Sequence, residues 1–281
     1  MPDTTKTIFP RTSSEIFSAW DNNPDAVVFS SGAAFLQSQR TLAFKLPQVI
    51  ISLDKMEEMH RIDRTERYLE IGAMASLARV LRLGKIVPTV LQEIIYKLAN
   101  PNLRNLLSIG SVIWQNSNVN VISSAMIALG ARYEIRTQGQ SRWITALEFS
   151  QENKEIFYNH ELLYRIRIPL EQWDYQIFRI LKSPENAVQD WEKQGGIVVF
   201  LAGIQNDILS AISIVFSGCM IITEKDIESK LLGKKLPLNI SEAKNFVELW
   251  KNYLETLDDR SVFVCDRLIN FIESAIMHFV D

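Results

Sequence analysis

The stretch that decides the fold is NLRNLLSIGSVIWQNSNVNVISSAMIALG, residues 102–130. It joins a turn of small and polar residues, Ser108-Ile109-Gly110-Ser111, to an apolar segment that predicts a helix over Ile122–Leu129. A turn that contains glycine lets backbone N–H groups approach a phosphate closely, and the positive end of a helix dipole favours the same anion. The alternative is a polar surface loop with an ordinary glycine turn, because short glycine motifs are weak signals.

A second segment of the same kind lies near the start of the chain. VVFSSGAAFL, residues 27–36, combines a hydrophobic strand, a small-residue turn around Gly32 and the start of a helix. Its small residues also permit close approach of the backbone to a ligand. The alternative is a plain strand-to-helix turn in a mixed fold. Two such segments in one chain favour a phosphate-containing cofactor more than either does alone.

The two segments resemble the flavin-binding segments of the molybdenum hydroxylases, the xanthine and carbon monoxide dehydrogenase group. Leu103-Arg104-Asn105, Ser108-Ile109-Gly110 and Ala128-Leu129-Gly130-Ala131 match the second segment of that family, and Ser31-Gly32 matches the first. Four further stretches resemble family elements in the family's order: Pro47–Leu53, Tyr68–Ala73, Ile227–Lys234 and Asp259–Leu268. The resemblance therefore covers nearly all of the chain.

The chain departs from the family pattern at five positions of these segments. Ser111 and Val112 replace a glycine and an asparagine, Ala33 and Ala34 replace a threonine and an aspartate, and Val121 stands at an aspartate position. Each lost hydrogen bond to a charged phosphate costs about 1.5–3 kcal/mol. We therefore expect weaker FAD binding than the resemblance alone implies, and loss of flavin during purification.

The resemblance implies an FAD site whose pyrophosphate lies between the two loops. The residues that it implies at the cofactor are Ser31, Gly32, Ala33, Ala34, Phe35, Arg104, Ser108, Ile109, Gly110, Ser111, Ser117 and Asn120. We further expect Asn102–Asn105 to brace the second loop. No nucleophile, acid–base or metalloprotease motif accompanies these segments, so the chemistry is expected to belong to the cofactor.

The resemblance implies a function as the FAD-binding electron-transfer subunit of a molybdenum-containing hydroxylase, most similar to the xanthine dehydrogenase type. Such a subunit receives electrons from iron–sulfur clusters of a partner and passes them to an acceptor such as NAD. The implied partners are an iron–sulfur subunit and a large molybdopterin subunit. The altered loops leave an alternative open, which is a scaffold subunit that keeps the fold but binds little or no flavin.

Composition sets limits on these readings. The chain has 281 residues, of which 47% are hydrophobic and 22% charged, as in globular proteins. Its net charge of −3 argues against a nucleic-acid partner. With two cysteines and three scattered histidines, the chain is expected to hold no iron–sulfur cluster or other metal centre of its own. The apolar run of residues 208–223 is short for a membrane span and favours a buried strand. With no secretory signal visible, a cytoplasmic location is expected.

The pattern of strands and helices changes near Glu171. Residues 1–170 alternate short helices and strands and predict an FAD-binding domain of two α/β lobes. Residues 173–281 predict a C-terminal α+β domain, with strands over 174–182, 196–204 and 208–222 and a hairpin turn at Gln205-Asn206-Asp207. Its last helix carries an apolar stripe from Val264 to Phe279. The sequence thus predicts an α+β fold in which a three-stranded antiparallel sheet with helices follows the two-lobed FAD-binding domain.

Overall fold

The computed structural model describes residues 5–32, 46–114, 121–151, 160–181, 196–218, 220–257 and 262–280. The strands of these residues are β1 (Lys6–Ile8), β2 (Val27–Phe29), β3 (Val49–Ser52), β4 (Ile62–Arg64), β5 (Tyr68–Gly72), β6 (Arg132–Thr137), β7 (Gln140–Thr145), β8 (Leu162–Pro169), β9 (Tyr175–Leu181), β10 (Gly196–Gln205), β11 (Ile208–Ser217) and β12 (Ile221–Ile222). Their α-helices are α1 (Ser13–Asn22), α2 (Leu77–Leu81), α3 (Thr89–Leu98), α4 (Pro101–Leu106), α5 (Ile109–Trp114), α6 (Val121–Ala128), α7 (Ala146–Gln151), α8 (Lys225–Glu228), α9 (Ile240–Thr256) and α10 (Val262–Met277).

The chain forms two compact units. The first comprises the described parts of Met1–Val87, Gln92–Asn116 and Gly130–Leu170, and the second those of Pro88–Leu91, Ser117–Leu129 and Glu171–Asp281. The chain passes from the first unit to the second between Leu170 and Glu171, where the sequence pattern of strands and helices also changes. Helix α6, which lies within the stretch of residues 102–130, belongs to the second unit.

The first unit contains two sheets, which define its two lobes. Lobe one holds a parallel sheet with strand order β1-β3-β2, and lobe two holds an antiparallel sheet with order β4-β5-β8-β6-β7. Helix α1, which lies between β1 and β2 in the chain, buries the side chains of Ile16, Phe17 and Trp20. Its start is fixed by Thr12, whose hydroxyl accepts a hydrogen bond from the Glu15 amide at 3.3 Å. The two-lobed α/β arrangement that the sequence predicts is thus present.

One element of the first unit differs from expectation. The pattern of residues 141–149 predicts a single strand, but β7 ends at Thr145 and α7 begins at Ala146. Thr145 and Glu148 form a capping box, in which the Thr145 amide donates to Glu148 Oε2 at 2.7 Å and the Glu148 amide donates to Thr145 Oγ1 at 3.1 Å. The sequence T-A-L-E, residues 145–148, is typical of a capping box, and this helix start outweighs the strand pattern.

The second unit is built on the antiparallel sheet β12-β11-β10-β9. Three long strands confirm the predicted three-stranded sheet, and the two-residue β12 extends it at one edge after the chain leaves β11 at Ser217. The β10–β11 hairpin turns at Asn206 and Asp207, whose φ angles of 53° and 58° are those of a two-residue turn with both central residues in the left-handed region.

Helices cover both faces of this sheet. On one face α9 and α10 bury Phe246, Trp250, Phe271 and Ile272 against strand residues such as Phe200. The apolar stripe predicted for the last helix is confirmed from Leu268 onward; the Val264 side chain lies outside the described residues. Helix α6 packs against β10 and β11, where the alternate strand residues are also buried. In the described part of the chain, no helix is long and apolar enough to cross a membrane.

Candidate functional site

The candidate site is a cavity in the first unit with a volume of about 590 Å³. Lobe one contributes the segment from Trp20 to Gly32, which contains β2 and the turn after it, together with Leu53. Lobe two contributes Ala73 and Met74 after β5, the start of α5, and residues 160–163 at the start of β8. The two small-residue turns singled out in the sequence therefore face one cavity.

The first turn follows β2 directly. Ser30 and Gly32 line the cavity, and Gly32 has a φ of +73°, which side chains other than glycine rarely adopt. The glycine is thus required by the turn itself, which directs the chain away from the end of β2. Ser31 is exposed and does not line the cavity. Ala33, Ala34 and Phe35 lie outside the described residues.

The second turn is buried, so the alternative of a polar surface loop is wrong. Ser108 directly precedes α5, and Ile109 and Gly110 are its first two residues. All three are buried. The Gly110 amide donates to Ala73 O at 2.9 Å and the Ile109 amide donates to Ala75 O at 2.9 Å. These bonds hold the turn against the segment that follows β5.

The next two amides of α5, those of Ser111 and Val112, are also paired within the protein. The Ser111 amide donates to Ser108 Oγ at 3.1 Å, and the Val112 amide donates to Ser108 O at 3.3 Å. The Ser111 hydroxyl donates to Ser108 O at 2.7 Å. The amides of residues 109–112 thus each have a protein acceptor in this conformation, and the approach of a pyrophosphate to this turn stays a prediction.

The predicted site residues thus separate into three groups. The cavity brings together Gly32, Ser108, Gly110 and Ser111, whereas Ile109 is completely buried and does not line it. Arg104 lies elsewhere: its Nε donates to Ala99 O at 2.7 Å and its guanidinium stacks over Tyr96, 4.7 Å from the ring centroid. Ser117 and Asn120 lie outside the described residues.

The brace expected from Asn102–Asn105 comes from other residues. Asn105 Nδ2 donates to Pro101 O within α4, so this side chain does not reach the second turn. The turn is instead held by the bonds to Ala73 and Ala75 and by an isolated antiparallel bridge between Ser76 and Ser108. Backbone hydrogen bonds to the segment after β5, and not the Asn105 side chain of α4, hold the second turn in place.

The structure adds aromatic residues that the sequence analysis did not place at the site. Trp20 and His160 line the cavity and stack on each other, with ring centroids 5.0 Å apart and planes 8° apart. Trp20 Nε1 donates to Ala26 O at 3.1 Å, which fixes the indole. Trp114 lines the cavity from the end of α5. Trp20, Trp114 and His160 come from distant parts of the chain, so the sequence does not bring them together. Only Trp20 could be predicted to be buried, because it lies on the apolar face of α1.

The charges around the cavity are acidic. Asp25 and Glu161 line it, and no lysine or arginine does so among the described residues. Glu161 is partly compensated, since its Oε1 lies 3.3 Å from Arg142 Nη2. An anionic ligand therefore meets no direct cationic partner from the described lining. Within the same described residues, no group of three or more His, Cys, Asp or Glu side chains is placed to hold a metal ion.

A cleft of this size between two lobes, with a small-residue turn on each side, is the arrangement of a protein that binds a large cofactor. The model of the family described as the FAD binding domain in molybdopterin dehydrogenase matches residues 3–171 of the chain. The chain belongs to this family of FAD-binding domains of molybdopterin dehydrogenases. The resemblance seen in the sequence is confirmed.

Solved structures support the same fold. The chain is similar to quinoline 2-oxidoreductase from Pseudomonas putida 86, with a TM-score of 0.73, 18% identity and coverage of 99% of this chain and 95% of that one. It is also similar to carbon monoxide dehydrogenase from Hydrogenophaga pseudoflava, with a TM-score of 0.74, 18% identity and coverage of 99% and 98%. A third similar structure is reconstituted CO dehydrogenase from Oligotropha carboxidovorans, with a TM-score of 0.72, 17% identity and coverage of 99% of this chain and 97% of that one. A sequence comparison with curated proteins gives no match.

The cavity fits FAD in volume and position. It lies within the size range of cofactor pockets, and both expected turns reach it with the small residues Ser30, Gly32 and Ser111. The donor set is the point of difference, since the amides of residues 109–112 are engaged by the protein.

Proposed function

We propose that the chain is the FAD-binding electron-transfer subunit of a molybdenum hydroxylase of xanthine dehydrogenase type, with NAD as the soluble acceptor. Its partners in this proposal are an iron–sulfur subunit and a large molybdopterin subunit. Residues 1–170 act as the FAD-binding domain and residues 173–281 as the C-terminal domain. FAD, when bound, supplies the redox chemistry and relays electrons between partner and acceptor.

The observation that carries the proposal is the meeting of the two turns at one cavity. Gly32 and Ser111 come from segments some eighty residues apart, and both line the space between the lobes. In the proposal the first turn, Ser30–Gly32, donates its amides to the pyrophosphate. The second turn acts as a rigid wall whose internal hydrogen bonds hold Ser111 in place. Apolar residues such as Met59 and Leu162 exclude water from the remaining wall.

The proposal is tested by FAD titration of the purified full chain, with bound flavin measured by equilibrium dialysis. Ser111→Phe places a large ring between the two turns and is expected to raise the Kd for FAD beyond the measurable range. Ser141→Phe makes the same change at an exposed serine outside this cavity and should bind FAD as the wild type does. Both variants are first checked for the wild-type circular dichroism spectrum. Equal FAD affinity in both variants would contradict the placement of the cofactor.

The acceptor and the partners need separate measurements. If NAD is the acceptor, NADH should bleach the flavin absorbance of the reconstituted chain under anaerobic conditions; an unchanged spectrum would rule out the xanthine dehydrogenase type with NAD. If the partners are those proposed, the chain isolated from its native cells in complex should carry iron and molybdenum in fixed ratio to it. A chain that elutes without either metal under conditions that preserve the complex would reject this assignment.

The paired amides of the second turn favour one alternative, a scaffold subunit that keeps the fold and binds little or no flavin. In this reading the hydrogen bonds from Ile109 and Gly110 to the backbone of residues 73–75 serve the packing of lobe two alone. The acidic lining of Asp25 and Glu161 supports the same reading, since it opposes a dianionic pyrophosphate. The absence of saturable FAD binding by the wild-type chain, at flavin concentrations far above those of the cell, would select this alternative.

A further inference from the structure

Trp114 combines a place in the cavity wall with high exposure. It stands at the last residue of α5, lines the cavity and exposes 37% of its surface. The second tryptophan in the cavity wall, Trp20, exposes only 7% and is held by its stack with His160. Trp114 is therefore the more exposed of these two tryptophans of the cavity wall.

The core supports Trp114 from behind. Its ring packs on Phe149 with centroids 6.0 Å apart and an interplanar angle of 51°. Phe149 is itself buried and meets Tyr133 edge-on, with centroids 5.1 Å apart and planes 88° apart. A chain of three rings thus limits the movement of the indole. A flat aromatic surface that is held in this way loses little conformational freedom when a ligand stacks on it.

We infer that Trp114 stacks on a planar heteroaromatic ring of the bound dinucleotide, and that this contact compensates for the amides of residues 109–112, which pair within the protein. The inference rests on the proposed function. Stacking needs no charge and no free N–H group, so it suits a wall in which the amides of residues 109–112 are already paired. Both the isoalloxazine and the adenine of FAD have the required shape, and electron-rich indole stacks well on either.

The test compares three variants of the full chain in FAD titrations. Trp114→Ala removes the stacking surface and is expected to raise the Kd about tenfold, within the range found for aromatic residues that stack on bases. Trp114→Phe keeps a smaller ring on Phe149 and is expected to raise it about threefold. Trp143→Ala is the control: it removes an indole of β7 that lies outside the cavity wall and stacks under Arg167 at 4.2 Å. Its FAD affinity should equal that of the wild type.

A second readout separates stacking from a purely structural effect. Indole quenches flavin fluorescence by electron transfer at van der Waals contact, and phenylalanine does not. If the isoalloxazine lies on Trp114, bound flavin should be dark in the wild type and fluorescent in Trp114→Phe, and FMN binding should weaken with FAD binding in Trp114→Ala. If the adenine lies there, ADP binding weakens instead and the flavin fluorescence of the Phe variant stays that of the wild type.

The outcomes distinguish this inference from the proposed function. Wild-type FAD binding together with unchanged affinity for FAD, FMN and ADP in Trp114→Ala would overturn the inference and leave the proposed function standing. If Trp114→Ala does not fold, unchanged FAD affinity and flavin fluorescence in Trp114→Phe would overturn it equally. Failure of the wild type to bind FAD would overturn both the inference and the proposed function. Weakened binding in the Trp114 variants alone supports the inference.

Discussion

Gly110 and Ala73 lie in direct backbone contact. The Gly110 amide donates to Ala73 O at 2.9 Å, and a Cβ on Gly110 would lie 2.6 Å from Ala73 Cβ and 2.7 Å from Ala73 O. Both distances are far below van der Waals contact. The close packing of α5 on the segment after β5 therefore requires glycine at residue 110.

We expect Gly110→Ala to destabilise the first unit by about 3 kcal/mol, because the added methyl forces a backbone shift in a packed region. The free energy of unfolding from urea denaturation checks this. Gly139→Ala is the matched control: Gly139 has a φ of +76° and open space around its Cβ position, so its cost of about 1 kcal/mol is conformational only. Equal losses in the two variants would show that the contact with Ala73 relaxes without strain.

Gly32 offers a sharper test of the cofactor than Gly110 does. Its φ of +73° nearly equals that of Gly139, and a Cβ on Gly32 would meet only Phe29 side-chain atoms at ordinary distance. Gly32→Ala and Gly139→Ala should therefore lose similar stability, about 1 kcal/mol each. Only Gly32→Ala disturbs the turn that lines the cavity. We expect its Kd for FAD to rise about tenfold, as for the loss of one hydrogen bond to a charged group, while Gly139→Ala binds as the wild type does.

The sequence predicts much of this fold because its signals are local. The hairpin turn at Asn206-Asp207 follows from residue types with well-defined backbone preferences. The short helix α5 was missed, although Ile109, Val112 and Ile113 are buried at the spacing i, i+3 and i+4. Six residues carry too little periodicity to outweigh the glycine and serines around them.

The candidate site was predictable only in part, because its details depend on contacts between distant segments. The resemblance to a known family placed Gly32 and Ser111 at one cavity. The partners of the second turn, and the roles of Trp114 and His160, depend on how the two lobes pack. Arg104 matched the family motif, yet it binds Ala99 O and Tyr96. A motif match identifies the segment without showing which way each side chain points.

Val112 illustrates this limit as a testable prediction. The family has asparagine at this position, which makes Val112→Asn look like a repair of the flavin site. Val112 is only 5% exposed and does not line the cavity, so a buried amide there should lower the free energy of unfolding by about 2 kcal/mol. Ser111→Asn places the same amide at a residue that does line the cavity, and it should keep near-normal stability. Tighter FAD binding by Val112→Asn than by the wild type would show that this side chain reaches the cofactor.

The last prediction concerns the ion pairs of the antiparallel sheet in lobe two. Glu70 of β5 lies opposite Arg167 of β8. Its carboxylate accepts a hydrogen bond from Arg167 Nε at 2.8 Å and another from Arg165 Nη1 at 3.0 Å. Burial alone would raise the pKa of Glu70, but these two bonds outweigh it and hold the pKa below its usual value near 4.5.

A carboxyl group whose pKa is lower in the folded than in the unfolded protein stabilises the fold above its unfolded pKa. That stabilisation is lost as the pH falls through the lower, folded pKa. We therefore expect Glu70→Gln to cost about 1 kcal/mol at pH 7, a modest value because both arginine side chains are 31% exposed. The difference between wild type and variant should shrink steadily below about pH 4.5. Urea unfolding at several pH values from 7 to 3 measures this, with Glu66→Gln, at an exposed position, as the control. A difference that stays constant over the whole range would mean that Glu70 acts through packing and not through its charge.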